Sequence, residues 1–517
     1  MDRYQKKEKG IGFVGDCRLR FKQKRGFVKD NKFYITTSIA YVNAPPHVGF
    51  ALESLQADVV ARFYRDKGQD VFFLTGTDEH GTKIARSAEN EGKKTKEFVD
   101  EISPRFKNLK DILNLSWDNF IRTSDKEIHW PVAQEVWNSI MKSGDLYKKT
   151  YKGLYCVGHE SFVTRKDLVD GVCSLHKRRP EEIEEENWFF KLSKYGDEIK
   201  KRIKSDELLI VPKSRKNEAL AFLDEGLEDI SFSRPSKTLI WGIPVPNDSS
   251  QTMYVWADAL VNYISGYGGI NEWQGHPADV HCIGKDILRF HAVIWPAMLL
   301  SAGLTLPKSV FVHGFITANG EKMSKSLGNI IDPYELVKKY GTDPVRYYLL
   351  REIPSSEDGD FSYSKFEERY NGDLANGLGN FAARVLTLGN NYIAIYNSQF
   401  NKEIQVDKFI NEKIEDIKIN VSKKIEEFKF NEALGSIWDL IHFGDQYINE
   451  KKPWEQKDEK IVMIKGKTIY ELIVILENVA TLLLPFMPET ASKILKAIKH
   501  EDPGISIDKI DNLFPRL

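Results

Sequence analysis

Two short runs hold residue types able to handle phosphate. Pro46-His47-Val48-Gly49-Phe50 lies where a β-rich run enters an apolar pattern of helical spacing. The free amides and dipole of a helix N-terminus attract anions there, and Gly49 lets a ligand approach the backbone. Far downstream, Gly320-Glu321-Lys322-Met323-Ser324-Lys325-Ser326-Leu327-Gly328-Asn329 is a glycine-bounded loop with two lysines. Two such cations can neutralise charge that builds on a phosphate chain during displacement at phosphorus. Taken singly, His47 reads as a hydrogen-bonded structural residue and the lysine loop as a solvated turn. A literal Gly-x-Gly-x-x-Gly at Gly10, Gly12 and Gly15 follows a charged run instead of a strand, so it is not a dinucleotide fingerprint.

A third constellation is Cys156-x-x-His159 with Cys173-x-x-His176. Two thiolates and two imidazoles suit tetrahedral zinc, and with all four positions closed by protein the metal would be structural. The alternative is a loop that keeps these residues without metal. Four cysteines in 517 residues form no disulfide framework, which fits a reducing compartment.

Positioning these residues requires a parallel sheet. Phe33-Tyr34-Ile35-Thr36-Thr37 reads as a buried strand, and Leu52, Leu55, Val59, Phe63 and Tyr64 recur at helical spacing up to Gly68. Val71-Phe72-Phe73-Leu74 is a second strand that ends in Thr75-Gly76-Thr77-Asp78. Strand, helix, strand begins an α/β fold. The same signal resumes at Asp279 to Gly284 and Ser309 to Gly314, so a Rossmann-like sheet is expected to be interrupted by an inserted connective domain over 120–235. Its halves are placed at 32–119 and 236–325, a linker at 326–362, and an α-helical bundle at 363–517. Residues 1–31 read as a basic, flexible extension.

Length implies about three domains. With 41% hydrophobic residues and a net charge of −1, the chain is neither disordered as a whole nor a basic coat protein. The first 32 residues carry 11 Lys and Arg against 4 Asp and Glu, so the rest of the chain is net acidic. No stretch reaches the ~20 apolar residues of a membrane span, and the N-terminus lacks the apolar core of a secretory signal. A cytoplasmic protein with no membrane partner is expected.

The ordered pair of phosphate motifs resembles the class I aminoacyl-tRNA synthetases, whose motifs are His-Ile-Gly-His and Lys-Met-Ser-Lys-Ser. The second is complete here, and the first departs at Phe50, where the family has histidine. The resemblance narrows to the methionyl-tRNA synthetase family through Ile35 to Tyr41, Thr75 to Gly81, Val255 to Leu260 and Gly284 to His291. It covers the chain from Lys32 onward.

That resemblance implies ATP and Mg2+ as cofactors, with a possible structural Zn2+ at the Cys/His pairs. It implies methionine, ATP and methionine tRNA, initiator and elongator, as partners. His47, Gly49, Lys322, Ser324 and Lys325 would hold the triphosphate, and Phe50 would remove one imidazole from the catalytic set. Ile39, Tyr41, Trp256, Ala259, Leu260, Tyr263, Ile287 and His291 would line a methionine pocket, with Asp78 taking the ammonium. A thioether calls for such an aromatic, sparsely polar pocket. Trp256 and His291 also read as core residues, and Trp295 as core or pocket equally. Asn380, Arg384 and Trp454 would read the anticodon by base edges and stacking. The chain ends shortly after the bundle, and a monomer is expected. Two rivals stay open: a class I synthetase for another apolar amino acid, and a catalytically weakened RNA-binding derivative, the latter motivated by Phe50.

Overall fold

The computed structural model describes residues 31–156, 161–163, 168–174, 177–323, 328–399, 405–455, 459–501 and 504–517. The basic extension up to residue 30 lies outside them. From Lys32 onward the chain packs as one unit.

The strands that build the main sheet are β1 (Lys32–Thr37), β2 (Ala40–Tyr41), β3 (Asp70–Asp78), β4 (Asn119–Arg122), β5 (Leu209–Val211), β6 (Val280–Gly284) and β7 (Ser309–His313). They pair in parallel in the order β5, β7, β6, β1, β3, and both β2 and β4 join β3. Tyr34, Ile35, Phe73, Ile283, Val310 and Val312 are fully buried, as strands covered on both faces require.

Helix α1 (Val48–Asp66) crosses from β1 to β3. Pro45 and Pro46 cannot extend a helix backwards, and Gly68 at φ 82° turns the chain out of it. Its buried face includes Glu53, Gln56 and Asp58, each hydrogen-bonded. Helix α2 (Thr95–Lys107) sends Phe98, Val99, Ile102 and Phe106 inward. Helices α3 (Pro333–Tyr340) and α4 (Thr342–Arg351) come after the lysine loop, and α5 (Asn380–Gln399) and α6 (Phe430–Lys451) belong to the C-terminal bundle.

The expected insertion over 120–235 cuts across this sheet. Its first residues lie inside β4, and Leu209-Ile210-Val211 return to pair with β7. The intervening part is antiparallel: Leu146–Cys156 pairs with Glu181–Phe190 along its length. A three-residue apolar run behind a charged helix is too short to announce a strand, which is why β5 is invisible to periodicity. The helical region holds one hairpin, Ile498–Glu501 with Gly504–Ile507.

Helix α4 carries a knot that no motif foretells. The fully buried Arg346 donates to Asp58 on α1 at 2.7 Å, to the carbonyls of Leu113 and Phe486 at 2.8 Å each, and to that of Pro485 at 2.8 Å. One apolar cluster runs from β1, β3, β6 and β7 through α1 and α4 into the bundle. Main sheet and bundle are thereby packed as one body.

Candidate active site

His47 caps α1 in an extended conformation (φ −129°, ψ 172°), and its Nδ1 accepts from the Gly49 amide at 3.0 Å. An accepting Nδ1 carries no proton, so the ring's proton sits on Nε2 as an outward donor. His47 is exposed to solvent on its outer side, and partial desolvation by the neighbouring protein lowers its pKa from the ordinary value. A Cβ on Gly49 would stand 2.8 Å from His47 Cε1 and 2.9 Å from Nδ1. The glycine is therefore what allows the ring to fold back over the helix start. Phe50 donates nothing and rests edge-on against Phe106, with ring centroids 5.3 Å apart.

Lys322 sits exposed on a two-residue strand paired with Ile316–Ala318. Ser324 and Lys325 lie outside the described residues. The segment leaving that loop returns to α1, where the Val48 amide donates to the Ile331 carbonyl at 3.1 Å. This bond ties the start of the His47 helix to the segment that follows the lysine loop.

Between them, at the carboxyl ends of β1, β6 and β7, lies a charged cluster that the motifs did not single out. Glu53 accepts from Ser38 N at 2.8 Å and Ser38 Oγ at 2.6 Å, and its second oxygen is 2.8 Å from His313 Nε2. His313 Nδ1 faces the Gly314 carbonyl at 2.7 Å. Burial alone would lower the His313 pKa, but the Glu53 carboxylate outweighs it and holds the ring above the ordinary value. Glu53 stands on the His47 helix, and nothing in sequence tied it to His313. The carboxyl edge of an open parallel sheet is the usual ligand side.

The expected amino-acid pocket adjoins this edge. Ile39, Tyr41, Trp256 and Ile287 are half-buried, while Asp78, Ala259, Leu260, Tyr263 and His291 are buried. Phe290 to Ile294 forms a π-helical turn, a widening that often occurs at functional positions. Within it, Phe290 stacks on Trp256 at 3.7 Å. His291 Nδ1 donates to the Ile287 carbonyl at 3.0 Å, and its Nε2 lies 2.7 Å from the Tyr263 hydroxyl. Its pKa is lowered to about 4 by desolvation, so Nε2 is an acceptor and Tyr263 the donor. Behind them Trp295 donates to His281 Nε2 at 3.3 Å, and Thr36 Oγ1 lies 2.8 Å from Nδ1. Trp295 is fully buried in this support layer.

Asp78 ends β3, and its Oδ1 lies 3.5 Å from both the His80 amide and Thr123 Oγ1. Beside it His80 Nδ1 meets the fully buried Asp258 at 2.6 Å. Asp258's other oxygen meets His129 Nε2 at 2.8 Å, and His129 is held by Ser265 at 2.7 Å. His80 and Asp258 stand within sequence blocks already singled out, whereas His129 had no signal.

Cys156 and Cys173 are both buried in one small cluster with Val163. His159 and His176 lie outside the described residues, and among the described ones no group of three metal-ligating side chains occurs. In the bundle, Asn380 begins α5 with its side chain exposed. Arg384, one turn on, donates to Asp445 at 2.9 Å and Asn449 at 2.6 Å, both on α6. Lys452, left-handed at φ 41°, ends α6 and leads to Trp454, which is 44% exposed.

A parallel sheet with phosphate motifs on α1 and on the loop after β7, an antiparallel insertion and a trailing helical bundle together define a class I aminoacyl-tRNA synthetase. The family model for tRNA synthetases class I (M) matches residues 33–166 and 163–386, and that for the anticodon-binding domain of tRNA ligase matches 407–510. A methionine–tRNA ligase of Thermotoga maritima is 42% identical over 91% of this chain and 76% of its own. One of Brucella suis is 42% identical over 90% and 91%. The Mycobacterium tuberculosis methionyl-tRNA synthetase in complex with methionyl-adenylate superposes with a TM-score of 0.87 at 37% identity, covering 94% of this chain and 100% of that one. The chain belongs to the methionyl-tRNA synthetase family.

Proposed function

We propose that this chain joins methionine to ATP, giving methionyl adenylate and pyrophosphate, and passes the methionyl group to the 3′ end of methionine tRNA, initiator and elongator. The observation that carries this reading is the Val48 to Ile331 bond, which joins the start of the His47 helix to the exit of the lysine loop. The first step is in-line displacement by the methionine carboxylate on the α-phosphorus. Positioning and charge neutralisation dominate such a step, and no protein nucleophile is needed.

In this reading His47 Nε2 and the α1 amides hold the triphosphate with Lys322, Ser324 and Lys325. Asp78 takes the methionine ammonium, and Tyr263, His291, Trp256 and their neighbours enclose the thioether. Magnesium, when bound, would offset charge on the phosphates. Asn380, Arg384 and Trp454 would meet the anticodon, with Arg384 pre-oriented by Asp445 and Asn449. Zinc, if held by Cys156, His159, Cys173 and His176, would be structural; metal analysis of the purified chain tests it, with one equivalent expected. A cytoplasmic monomer is the accompanying expectation. No helix among the described residues is long and apolar enough to cross a membrane.

The test is pyrophosphate exchange with each amino acid in turn. Exchange with methionine alone is expected; exchange with another amino acid, or with none, sinks the reading. No exchange with any amino acid is the outcome expected of the rival that Phe50 motivates, a derivative that binds RNA without activating an amino acid. Lys325→Ala should depress exchange much more than methionine affinity.

A further inference from the structure

We propose that Arg105 is a triphosphate-binding residue that supplies the cationic donor Phe50 does not; this rests on the adenylation reading above. Phe50 occupies a position on the first turn of α1 where its ring can only pack, and it packs on Phe106. Arg105 is the neighbour of Phe106 on α2, and its guanidinium is turned to the surface instead of the core. There it stands 3.6 Å from Asp332 and lies over the Tyr334 ring at 5.9 Å. It donates no side-chain hydrogen bond to any described residue.

Its location is fixed by three bonds. The Tyr334 hydroxyl donates to the Arg105 carbonyl at 2.6 Å, and the Asp332 carboxylate caps α3 by accepting from the Tyr334 amide at 2.8 Å. The residue before Asp332 is Ile331, whose carbonyl receives the first amide of α1. Arg105 thus stands where the phosphate-binding helix start and the exit of the lysine loop join. Its N–H donors make no hydrogen bond to the described residues, and an exposed ion pair of this length holds its partners weakly. A polyphosphate offers the guanidinium charge-assisted, bidentate bonds that a single distant carboxylate oxygen cannot. An arginine in this place, with Asp332 as a resting partner, is suited to exchange a weak contact for a strong one when ATP arrives. The missing imidazole and the uncommitted guanidinium lie on adjoining side chains of one contact, Phe50 with Phe106 and Arg105 beside it.

The experiment is a comparison of Arg105→Gln, Asp332→Asn, Phe50→His and the double variant Arg105→Gln/Phe50→His in the full chain. Arg105→Gln should raise the KM for ATP tenfold or more in pyrophosphate exchange. The KM for methionine, inhibition by AMP and transfer from preformed methionyl adenylate to tRNA should stay within twofold. Asp332→Asn keeps the helix cap, since asparagine caps as well, and should leave exchange unchanged. Phe50→His should restore at least half of what Arg105→Gln loses. Normal exchange in Arg105→Gln overturns the proposal. So does an equal loss in Asp332→Asn, which would make Arg105 a latch, and so does a double variant no better than Arg105→Gln. If the unaltered chain shows no methionine-dependent exchange, the functional reading itself fails and takes this one with it.

Discussion

His291 in the amino-acid pocket and His313 at the nucleotide edge are both buried, yet their pKa values move in opposite directions. Burial is therefore not what decides. His313 presents Nδ1 to a carbonyl and Nε2 to the Glu53 carboxylate, two acceptors that only a doubly protonated ring can satisfy. His291 presents Nδ1 to a carbonyl but Nε2 to a hydroxyl able to donate, so the neutral ring is complete. His281, facing the Trp295 N–H, must likewise keep an unprotonated Nε2, and its pKa lies well below the ordinary value through desolvation and the neighbouring His291. The pocket proposed for a neutral thioether is thus assembled from rings held toward their neutral forms and satisfied by one another. The edge proposed to face the triphosphate keeps charge and open donors: His47, Lys322 and Arg105 are all accessible, and Glu53 holds His313 toward its protonated form.

This contrast is most sharply tested where the open donors are removed. His47→Ala deletes the Nε2–H and should lower the adenylation rate by about 100- to 1,000-fold, the usual loss for one transition-state donor. Methionine affinity, measured by equilibrium binding, should not change. A matching loss in methionine binding would mean that the two regions are not separable.

The pocket's neutrality should show in stability. The unfolded His291 titrates near 6.5 and the folded one at about 4, so the unfolded chain binds more protons between these values. This contribution is complete above pH 6.5 and is lost as pH falls toward 4, for a total of up to about 3 kcal/mol. Denaturation of His291→Gln should accordingly show a shallower fall in stability over that window than the unaltered chain. Parallel curves would refute the neutral ring.

Much of the candidate site was legible in the sequence, because the residues expected to handle phosphate stand in contiguous motifs. His47 with Gly49, the Lys322 loop and the strand ends at Asp78 and Gly284 are local signals, and the expected helical bundle contains α5 and α6. What stayed hidden is long-range pairing. Glu53 and His313 are 260 positions apart, Asp58 and Arg346 are 288, and His129 meets Asp258 through folding alone. No spacing rule reaches such pairs. The strand β5 was missed for a related reason, since its assignment rests on β7 and not on its own three residues. The explanation of Gly49 also needed coordinates: the atom it must avoid belongs to the neighbouring histidine ring, not only to a ligand.

The smallest predicted effect is also the one that can convert one region into the other. Glu53→Gln keeps an oxygen to accept from Ser38 but replaces the oxygen facing His313 by an N–H donor. His313 Nε2 must then become an acceptor, as in His291, while its burial is unchanged. The sign comes from linkage. With a raised pKa, His313 adds stability that is present below pH 6.5 and is lost as pH rises through the folded value. The variant should therefore be destabilised at pH 6 by about 1 kcal/mol more than at pH 9, the scale of one hydrogen bond to a charged group. In proton-detected titration of the histidine ring hydrogens, the His313 transition should move from above to below the ordinary value. A His313 that stays cationic without Glu53 would show that something other than the facing acceptor sets its charge, and the distinction between the two regions would have to be sought in the wider field of the sheet edge.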